Sequence, residues 1–172
     1  HPWIIAGETV LPIQQDETAL VLWALRKHFE YYRDVEFIKP LYSRLIAKPA
    51  EWMLEYRDAN GLPKQSWDLW EERRGIHTFT VASVIGALEA AAEFAIDFGE
   101  HDRAKRFRAG AEEMRTALRR HLWNTTEKRF ARLATVEKDG SYRLDMTPDS
   151  ANFALWAIGG FGVSDADIEA EM

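Results

Sequence analysis

The stretch TFTVASVIGALEAAAEFAIDF, residues 78–98, predicts a helix that is apolar on nearly every side. Such a helix must be covered by other elements, because a helix at a protein surface shows a single apolar stripe. Gly99 follows the stretch and suits the left-handed position just after a helix end. We therefore predict a long buried helix over residues 78–98, which the rest of the fold has to surround.

Helices of two kinds alternate along the chain on both sides of this stretch. Residues 17–32 and 149–158 are also densely apolar and predict two further buried helices. Segments 39–57 and 102–123 carry an apolar stripe beside a charged face, which is typical of covering helices. Residues 164–171 begin another charged helix. The alternation predicts an all-α fold in which an inner ring of buried helices is surrounded by amphipathic ones.

Local signals refine this picture between and within the helices. Pro49 lies inside segment 39–57 and is expected to kink or restart that helix, because proline removes a helical hydrogen bond. Residues 58–63 form a cluster of turn-forming residues. The Asp139-Gly140 pair lies in the polar segment 125–143 and predicts a short β-hairpin there.

The composition excludes several classes of function. A net charge of −6 argues against nucleic-acid binding, which needs clustered basic side chains. The chain has no cysteine, which excludes disulfides and thiolate metal sites and is compatible with a reducing, cytoplasmic environment. The longest apolar run, residues 151–163, is interrupted and too short to span a bilayer. We therefore expect a globular protein with neither nucleic-acid nor membrane partners.

The length of 172 residues corresponds to a single domain. The first residue is His1 rather than Met, and the last lies inside a predicted helix, so we expect a domain that is only partly represented. A partial ring exposes the apolar faces of its inner helices. The isolated chain is then expected to associate with itself through those faces, because large apolar patches need a partner.

Acidic residues recur where the chain enters the buried helices. The preceding segments are residues 14–17, 68–72 and 145–149, and each contains carboxylates. Antiparallel helical hairpins bring the N-terminal ends of all inner helices to the same side of a fold. We therefore expect these acids to converge at one end of the ring.

The segment SWDLWEERRGIH, residues 66–77, combines two tryptophans with adjacent carboxylates. Sugar sites need both, because aromatic faces stack on the C–H face of a pyranose and carboxylates accept hydrogen bonds from its hydroxyl groups. Cleavage of a glycosidic bond also needs two carboxyl groups, one of them protonated. His28, His101 and His121 are scattered and lack the spacing of a metal motif. The residues favour a carbohydrate site that uses neither a metal nor an organic cofactor.

The same residues resemble a known family. The stretch DLWEERRGIHTFT, with GLPKQSWDLW before it and QQDETALVLWAL near the start, is similar to glycoside hydrolase family 15, and most to its bacterial and archaeal branch. The family contains glucoamylases, glucodextranases and some microbial trehalases. The resemblance covers residues 11–160. It implies an (α/α)₆ toroid of helical hairpins and an exo-acting, inverting enzyme that releases glucose from starch-like, dextran-like or trehalose substrates.

The resemblance also implies roles for individual residues. Glu71, the first glutamate of the WEE motif, corresponds to the general acid, and Glu72 to a residue that contacts the sugar. Trp70 and Asp68 correspond to residues that line the pocket. Asp16 corresponds to the aspartate that holds the hydroxyl groups of the terminal glucose. The general base of the family lies several helices beyond the end of the chain, so the isolated chain is expected to be inactive.

Two positions depart from the family pattern. Gln15 stands where fungal relatives have an arginine, which argues against a fungal type of maltose specificity. Trp67 stands where a tyrosine is commoner, and this change keeps an aromatic side chain.

Structural roles compete with these functional ones. Asp16 also suits the first turn of a helix, where the helix dipole favours acidic side chains. Asp149 is better explained as a helix N-cap, and His77 as a residue at a helix start. Arg73 and Arg74 either line a subsite or pair with outer helices. For the whole chain, the alternative is a non-catalytic, all-helical scaffold that binds a carbohydrate or a protein.

Overall fold

A computed structural model describes residues 13–161, and helices make up most of this part of the chain. The helices are α1 (Gln15–Tyr32), α2 (Val35–Leu41), a π-helix (Tyr42–Ala47), α3 (Lys48–Glu55), α4 (Thr78–Asp97), α5 (His101–Leu122), a 3₁₀-helix (Ser150–Phe153) and α6 (Ala154–Ala157). The strands are β1 (Ser66–Trp67), β2 (Arg74–His77), β3 (Trp123–Asn124), β4 (Arg129–Phe130), β5 (Leu133–Val136) and β6 (Tyr142–Asp145). The charged helix expected over residues 164–171 lies outside the described residues.

Helix α4 is the centre of the core, as its apolar sequence predicts. It packs mainly against α1 and α5, and Val84, Leu88 and Phe94 are completely buried. By length and composition α4 resembles a membrane span, but 78% of its most apolar window is buried inside the protein. Gly99 follows the helix with a φ of 79°, in the left-handed position expected for it. The buried-helix prediction is confirmed for this element.

Helix α5 covers one side of α4 and has the amphipathic character expected of an outer helix. Its buried residues form a single face that includes Phe107, Met114 and Leu118. Arg115 on this helix reaches Glu89 of α4, with 3.1 Å between Nη2 and Oε1. The core contact and the ion pair together fix the position of α5 on α4.

Helix α1 is less enclosed than its composition predicts. It buries Ala19, Leu22 and Phe29, but Val21 is 42% exposed on the opposite side. Arg26 ties the helix to α4 through a 2.6 Å bond from Nη1 to Asp97 Oδ2. Within the described residues, α1 therefore has a core face and a free face.

The segment expected to form one kinked helix over residues 39–57 is instead divided in three. Asp34 caps α2, accepting a 3.0 Å bond from the Phe37 amide, so the helical region begins earlier than predicted. A π-helix then separates α2 from α3, and Pro49 lies in the first turn of α3. Proline is tolerated in a first turn because its missing N–H would have no helical partner there. The expected break at Pro49 is thus made by the wider π turn just before it.

Two small antiparallel sheets correct the all-α prediction. One has four strands in the order β1-β2-β5-β6, and the other pairs β3 with β4. The predicted hairpin at Asp139-Gly140 is confirmed, since Val136 pairs with Tyr142 and Gly140 has a φ of 81°. The other strands are two to four residues long, too short for an alternating pattern to reveal. Helices α4 and α5 match the predicted layers, but the buried helix expected over residues 149–158 is only a 3₁₀-helix followed by the short α6, and the connections are partly β-structure.

Candidate active site

The segment 66–77 forms a β-hairpin that leads directly into α4. Strands β1 and β2 pair Ser66 with Gly75 and Trp67 with Arg74, which leaves residues 68–73 as the connecting loop. A Cβ at Gly75 would lie 3.0 Å from the carbonyl oxygen of Ala134 in β5, so the close approach of these strands favours glycine. The sheet therefore fixes both ends of the loop that carries the WEE motif.

Asp68 organises this loop through both its backbone and its side chain. Its Oδ1 accepts hydrogen bonds from the backbone amides of Glu72 at 2.7 Å and of Arg73 at 3.2 Å. Its amide donates to the carbonyl oxygen of Arg73 at 2.9 Å, and its own carbonyl oxygen accepts from the amide of Glu71 at 2.9 Å. Asp68 itself is only 7% exposed. The conformation of the loop is consequently held by four hydrogen bonds that all involve Asp68.

Glu71 and its neighbours differ in what they present to solvent. Trp70 is 61% exposed, and the side chain of Glu72 is 60% exposed while its Oε2 accepts a 3.1 Å bond from Arg73 Nη1. Glu71 is half-buried and has a φ of 55°, in the left-handed region. This conformation is uncommon for residues other than glycine, asparagine and aspartate. An aromatic face and two carboxylates thus lie side by side on one loop.

The segments that precede the inner helices meet around this loop. The amide of Trp67 donates to the carbonyl oxygen of Ile13 at 3.3 Å, and Gln14 Nε2 donates to the carbonyl oxygen of Asp68 at 3.1 Å. On another side, Asp149 lines a cavity together with Asp68. The structure therefore brings together the three segments whose acids were expected to converge.

Asp16 is completely buried in the first turn of α1. Its Oδ1 lies 3.5 Å from the hydroxyl of Thr80, which donates to it, and its Oδ2 has no hydrogen-bond partner among the described residues. Burial raises the pKa of Asp16 to about 6, and the negative charges of Glu17 and Asp68 act in the same direction. An unpartnered buried carboxylate oxygen costs free energy until a donor reaches it.

Gln15 and Trp67, the two positions that depart from the family pattern, both lie close to the site. Gln15 is completely buried and its Nε2 donates to the carbonyl oxygen of Lys64 at 2.9 Å. This hydrogen bond connects α1 to the segment that leads into β1. Trp67 lies in β1 and is half-buried.

A small cavity lies behind the loop. Its volume of about 20 Å³ has room for roughly one water molecule and not for a pyranose ring. Its walls are formed by Asp68, Leu69, Trp70, His77, Phe79, Arg132, Leu133, Asp149, Ala151 and Asn152. The cavity therefore has no room for a sugar ring, whereas Trp70 and Glu72 on the same loop are exposed.

His77 and Asp149 have the structural roles that the sequence favoured. His77 ends β2 and occupies the N-cap position of α4; its Nε2 lies 3.3 Å from the carbonyl oxygen of Ser66. Burial lowers the pKa of His77. Asp149 caps the 3₁₀-helix, because its Oδ1 accepts a 2.9 Å bond from the amide of Ala151. Both residues hold the site together and also line its cavity.

Arg132, Asn152 and Gln14 belong to the site but were missed by sequence reasoning. Arg132 forms two bonds to Asp145 Oδ2, from Nε at 3.0 Å and from Nη2 at 2.7 Å, and so joins β6 to the cavity wall. Asn152 is buried and its Nδ2 donates to the carbonyl oxygen of Phe130 at 3.3 Å. Arg132 and Asn152 lie outside the quoted motifs, whereas Gln14 begins the stretch QQDETALVLWAL, and only folding brings the three residues to the loop. Over residues 13–161, no three His, Asp or Glu side chains are grouped as a metal site would require.

Comparison with known sequences identifies a family. The sequence model of glycosyl hydrolases family 15 matches residues 5–154. A protein of Methanocaldococcus jannaschii described as an uncharacterized glycosyl hydrolase is 28% identical over 120 residues. This match covers 70% of the chain and 19% of the relative, so the chain spans about a fifth of that protein's length.

Comparison with solved structures shows the same fold within larger glycosidases. A family 78 rhamnosidase of Bacillus sp. GL1 has a TM-score of 0.76 at 17% identity, over 93% of this chain and 17% of that one. A Klebsiella oxytoca rhamnosidase with bound rhamnose has a TM-score of 0.69 at 16% identity, over 92% and 29% of the two chains. A bacterial glucoamylase in complex with acarbose has a TM-score of 0.69 at 18% identity, over 96% and 25%. At these identities the similarity concerns the fold alone.

Proposed function

Because the chain belongs to glycoside hydrolase family 15, we propose that it supplies the general-acid half of the active site of an inverting, exo-acting α-glucosidase of the glucoamylase type. The substrates are α-glucosides, of the starch-oligosaccharide, dextran or trehalose kind. The remaining part of the (α/α)₆ toroid, with the general base, lies outside the 172 residues. On this account the isolated chain is inactive.

The observation that carries the proposal is the conformation of Glu71. A left-handed glutamate is strained, and strained backbone that its surroundings maintain tends to cluster at functional sites. Here the strained residue lies between Trp70 and Glu72 in the chain, and both of these neighbours are exposed. Arg33 and Lys128 are left-handed too, with φ of 54° and 53°, but of the three only Glu71 carries a carboxyl group and lies on the loop with the WEE motif.

In the proposed reaction Glu71 donates its proton to the glycosidic oxygen as the C1–O bond breaks. A carboxylate outside this chain removes a proton from a water molecule, and the water oxygen attacks C1 from the opposite face. The two carboxyl groups of an inverting enzyme are roughly 6.5–9.5 Å apart, which leaves room for that water. The product is glucose of inverted anomeric configuration, and no metal or organic cofactor takes part.

The other site residues bind the sugar in this proposal. Trp70 stacks on the pyranose ring, and Glu72 accepts hydrogen bonds from its hydroxyl groups. Asp68 forms the inner wall of the pocket. Asp16 accepts a bond from a hydroxyl group of the terminal glucose through Oδ2, whose lack of a partner supports this role. Since Asp16 is completely buried here, neighbouring side chains have to move before a sugar reaches it.

The test uses the full-length protein that contains these residues. Release of glucose is measured from maltotriose, isomaltotriose and trehalose, and the anomer first released is determined by NMR. The variant Glu71→Gln should lose activity by a factor on the order of 10²–10⁴ and keep its fold. The matched control, Glu36→Gln, changes an exposed glutamate in the first turn of α2 and should keep full activity.

Three outcomes would count against the proposal. Unchanged activity of Glu71→Gln would remove Glu71 from the reaction. Release of the retained anomer would exclude the inverting mechanism. If the full-length protein binds sugars but hydrolyses none of them, the non-catalytic scaffold becomes the better account.

A further inference from the structure

We propose that Asp68 is the positioning residue for Glu71, so that its main contribution to the reaction is to fix the acid rather than to bind the sugar. This inference rests on the proposed function of Glu71. Two acids of the same motif then have separate tasks: Glu71 donates the proton and Asp68 holds Glu71 in place.

The geometry of the loop is the first step. One carboxylate oxygen of Asp68 accepts hydrogen bonds from the backbone amides of Glu72 and Arg73. The carbonyl oxygen of Asp68 accepts a hydrogen bond from the amide of Glu71. Three consecutive amides, those of residues 71, 72 and 73, therefore point to one residue. This arrangement closes the loop around Glu71 and maintains its left-handed φ of 55°.

The availability of the Asp68 carboxylate is the second step. Oδ1 is already used by two loop amides, Oδ2 lies 3.9 Å from Arg73 Nη1, and the side chain is only 10% exposed. A sugar hydroxyl would therefore compete with existing hydrogen bonds at Oδ1, and the low exposure of the side chain limits its access to Oδ2. By contrast, the side chain of Glu72 is 60% exposed and open to a ligand.

The connection to α1 is the third step. Gln14 Nε2 donates to the carbonyl oxygen of Asp68, the same oxygen that accepts the amide of Glu71. The segment leading into α1 thus sets the position of Asp68, and Asp68 sets that of Glu71. Misplacing a catalytic group by about 1 Å can cost on the order of 10²-fold in rate, so this chain of bonds bears directly on kcat.

The test compares Asp68→Asn, Asp68→Ala and Glu71→Gln in the full-length protein. Asparagine keeps an acceptor oxygen for the loop amides, whereas alanine removes it. We expect kcat to fall less than about tenfold in Asp68→Asn and on the order of 10²-fold in Asp68→Ala, with KM nearly unchanged in both. Retention of activity by the conservative variant separates positioning from a need for the negative charge.

A double variant supplies the sharper readout. If Asp68 acts only through Glu71, then Asp68→Ala combined with Glu71→Gln should be no slower than Glu71→Gln alone, because residues that act as a unit are not additive. Hydrogen exchange of the Glu72 and Arg73 amides should also be faster in Asp68→Ala. If Asp68→Ala fails to fold, Asp68→Asn still tests the proposal through its kcat and KM.

Asp58 provides a matched control, because its carboxylate also holds a turn through backbone amides. Its Oδ1 also accepts two backbone amides, those of Asn60 at 2.9 Å and Leu62 at 3.1 Å, but in a turn away from the WEE loop. Asp58→Asn should affect stability and leave kcat unchanged.

The inference can fail separately from the proposed function. A large rise in KM with unchanged kcat in Asp68→Asn would make Asp68 a sugar ligand and overturn the inference, while Glu71 keeps its role. Additive losses in the double variant would overturn it too. If Glu71→Gln is fully active, the proposed function fails first, and only the hydrogen-exchange result then bears on the loop.

Discussion

Replacement of Glu71 by glycine separates the cost of its conformation from its contribution to catalysis. Glu71 has a φ of 55°, whereas glycine adopts this region without a steric penalty. If the strain is maintained for function, Glu71→Gly should make the protein more stable and less active at the same time.

The expected stability change follows from two opposing quantities. A left-handed backbone costs a non-glycine residue roughly 1–2 kcal/mol, and replacement by glycine removes this cost from the folded state. Glycine is also more flexible in the unfolded chain, which destabilises the folded state by roughly 0.5–1 kcal/mol. The net expectation is an increase of about 0.5–1 kcal/mol in the free energy of unfolding, together with a loss of activity on the order of 10²–10⁴-fold.

Lys128 provides the matched control in the same protein. It has a φ of 53°, is exposed, and lies in the loop between β3 and β4, outside the candidate site. Lys128→Gly should produce a similar gain in stability and no change in activity. Urea unfolding followed by circular dichroism measures the stability of both variants, and the glucose-release assay measures their activity.

Two results would refute the reasoning. If Glu71→Gly lowers stability by more than about 1 kcal/mol while Lys128→Gly raises it, the conformation of Glu71 is not a source of strain. If Glu71→Gly gains stability and keeps full activity, the strain is real but has no catalytic purpose.

Two further predictions concern the surroundings of the site. The folded-state pKa of Asp16, about 6, lies above the unfolded value of 3.8, so the native state binds more protons between these values and its stability falls as pH rises through that window. The loss is on the order of 3 kcal/mol at most. Asp16→Asn should remove this pH dependence and raise stability at pH 7, as measured by urea unfolding from pH 4 to 7; an unaltered pH profile would contradict it. A Cβ at Gly86 would lie 2.4 Å from the backbone oxygen of Ile158, whereas the close contact of one at Gly110, 2.1 Å, would be with the flexible end of Leu54. Gly86→Ala should therefore lose roughly 1–3 kcal/mol by overpacking and Gly110→Ala clearly less, and equal thermal-unfolding midpoints for the two variants would contradict this.

The long helices could be predicted from the sequence because each has a strong and continuous pattern. The predicted ends of α1, α4 and α5 lie within two residues of those observed. Their apolar positions recur over five or more turns, so local irregularities do not hide the period. The predicted inner position of α4 is correct for the same reason, since its only charged face is the narrow row of Glu89, Glu93 and Asp97.

The hairpin around the WEE loop could not be predicted in this way. Strands of two and four residues carry no usable alternation, and the loop conformation depends on the side chain of Asp68 bonding to amides four and five positions later. The residues of the motif could be read from the sequence, but the left-handed backbone of Glu71 could not.

Several side chains around the site are brought together by contacts between residues that are far apart in the chain. Gln14 meets Asp68 across 54 positions, and Asn152 meets Phe130 across 22. Convergence of the acidic segments followed from the helical topology, but the identity of the polar residues between them depends on packing. That is why Arg132, which has no motif around it, was missed.

The most direct test of the central claim varies the leaving group in Glu71→Gln. A natural oligosaccharide needs its leaving oxygen protonated, whereas fluoride leaves α-glucosyl fluoride without a proton from the enzyme. If Glu71 is the general acid, kcat/KM should fall on the order of 10²–10⁴-fold for the oligosaccharide and less than about tenfold for the fluoride. An equal loss on both substrates would contradict the claim and would leave Glu71 as a binding or structural residue.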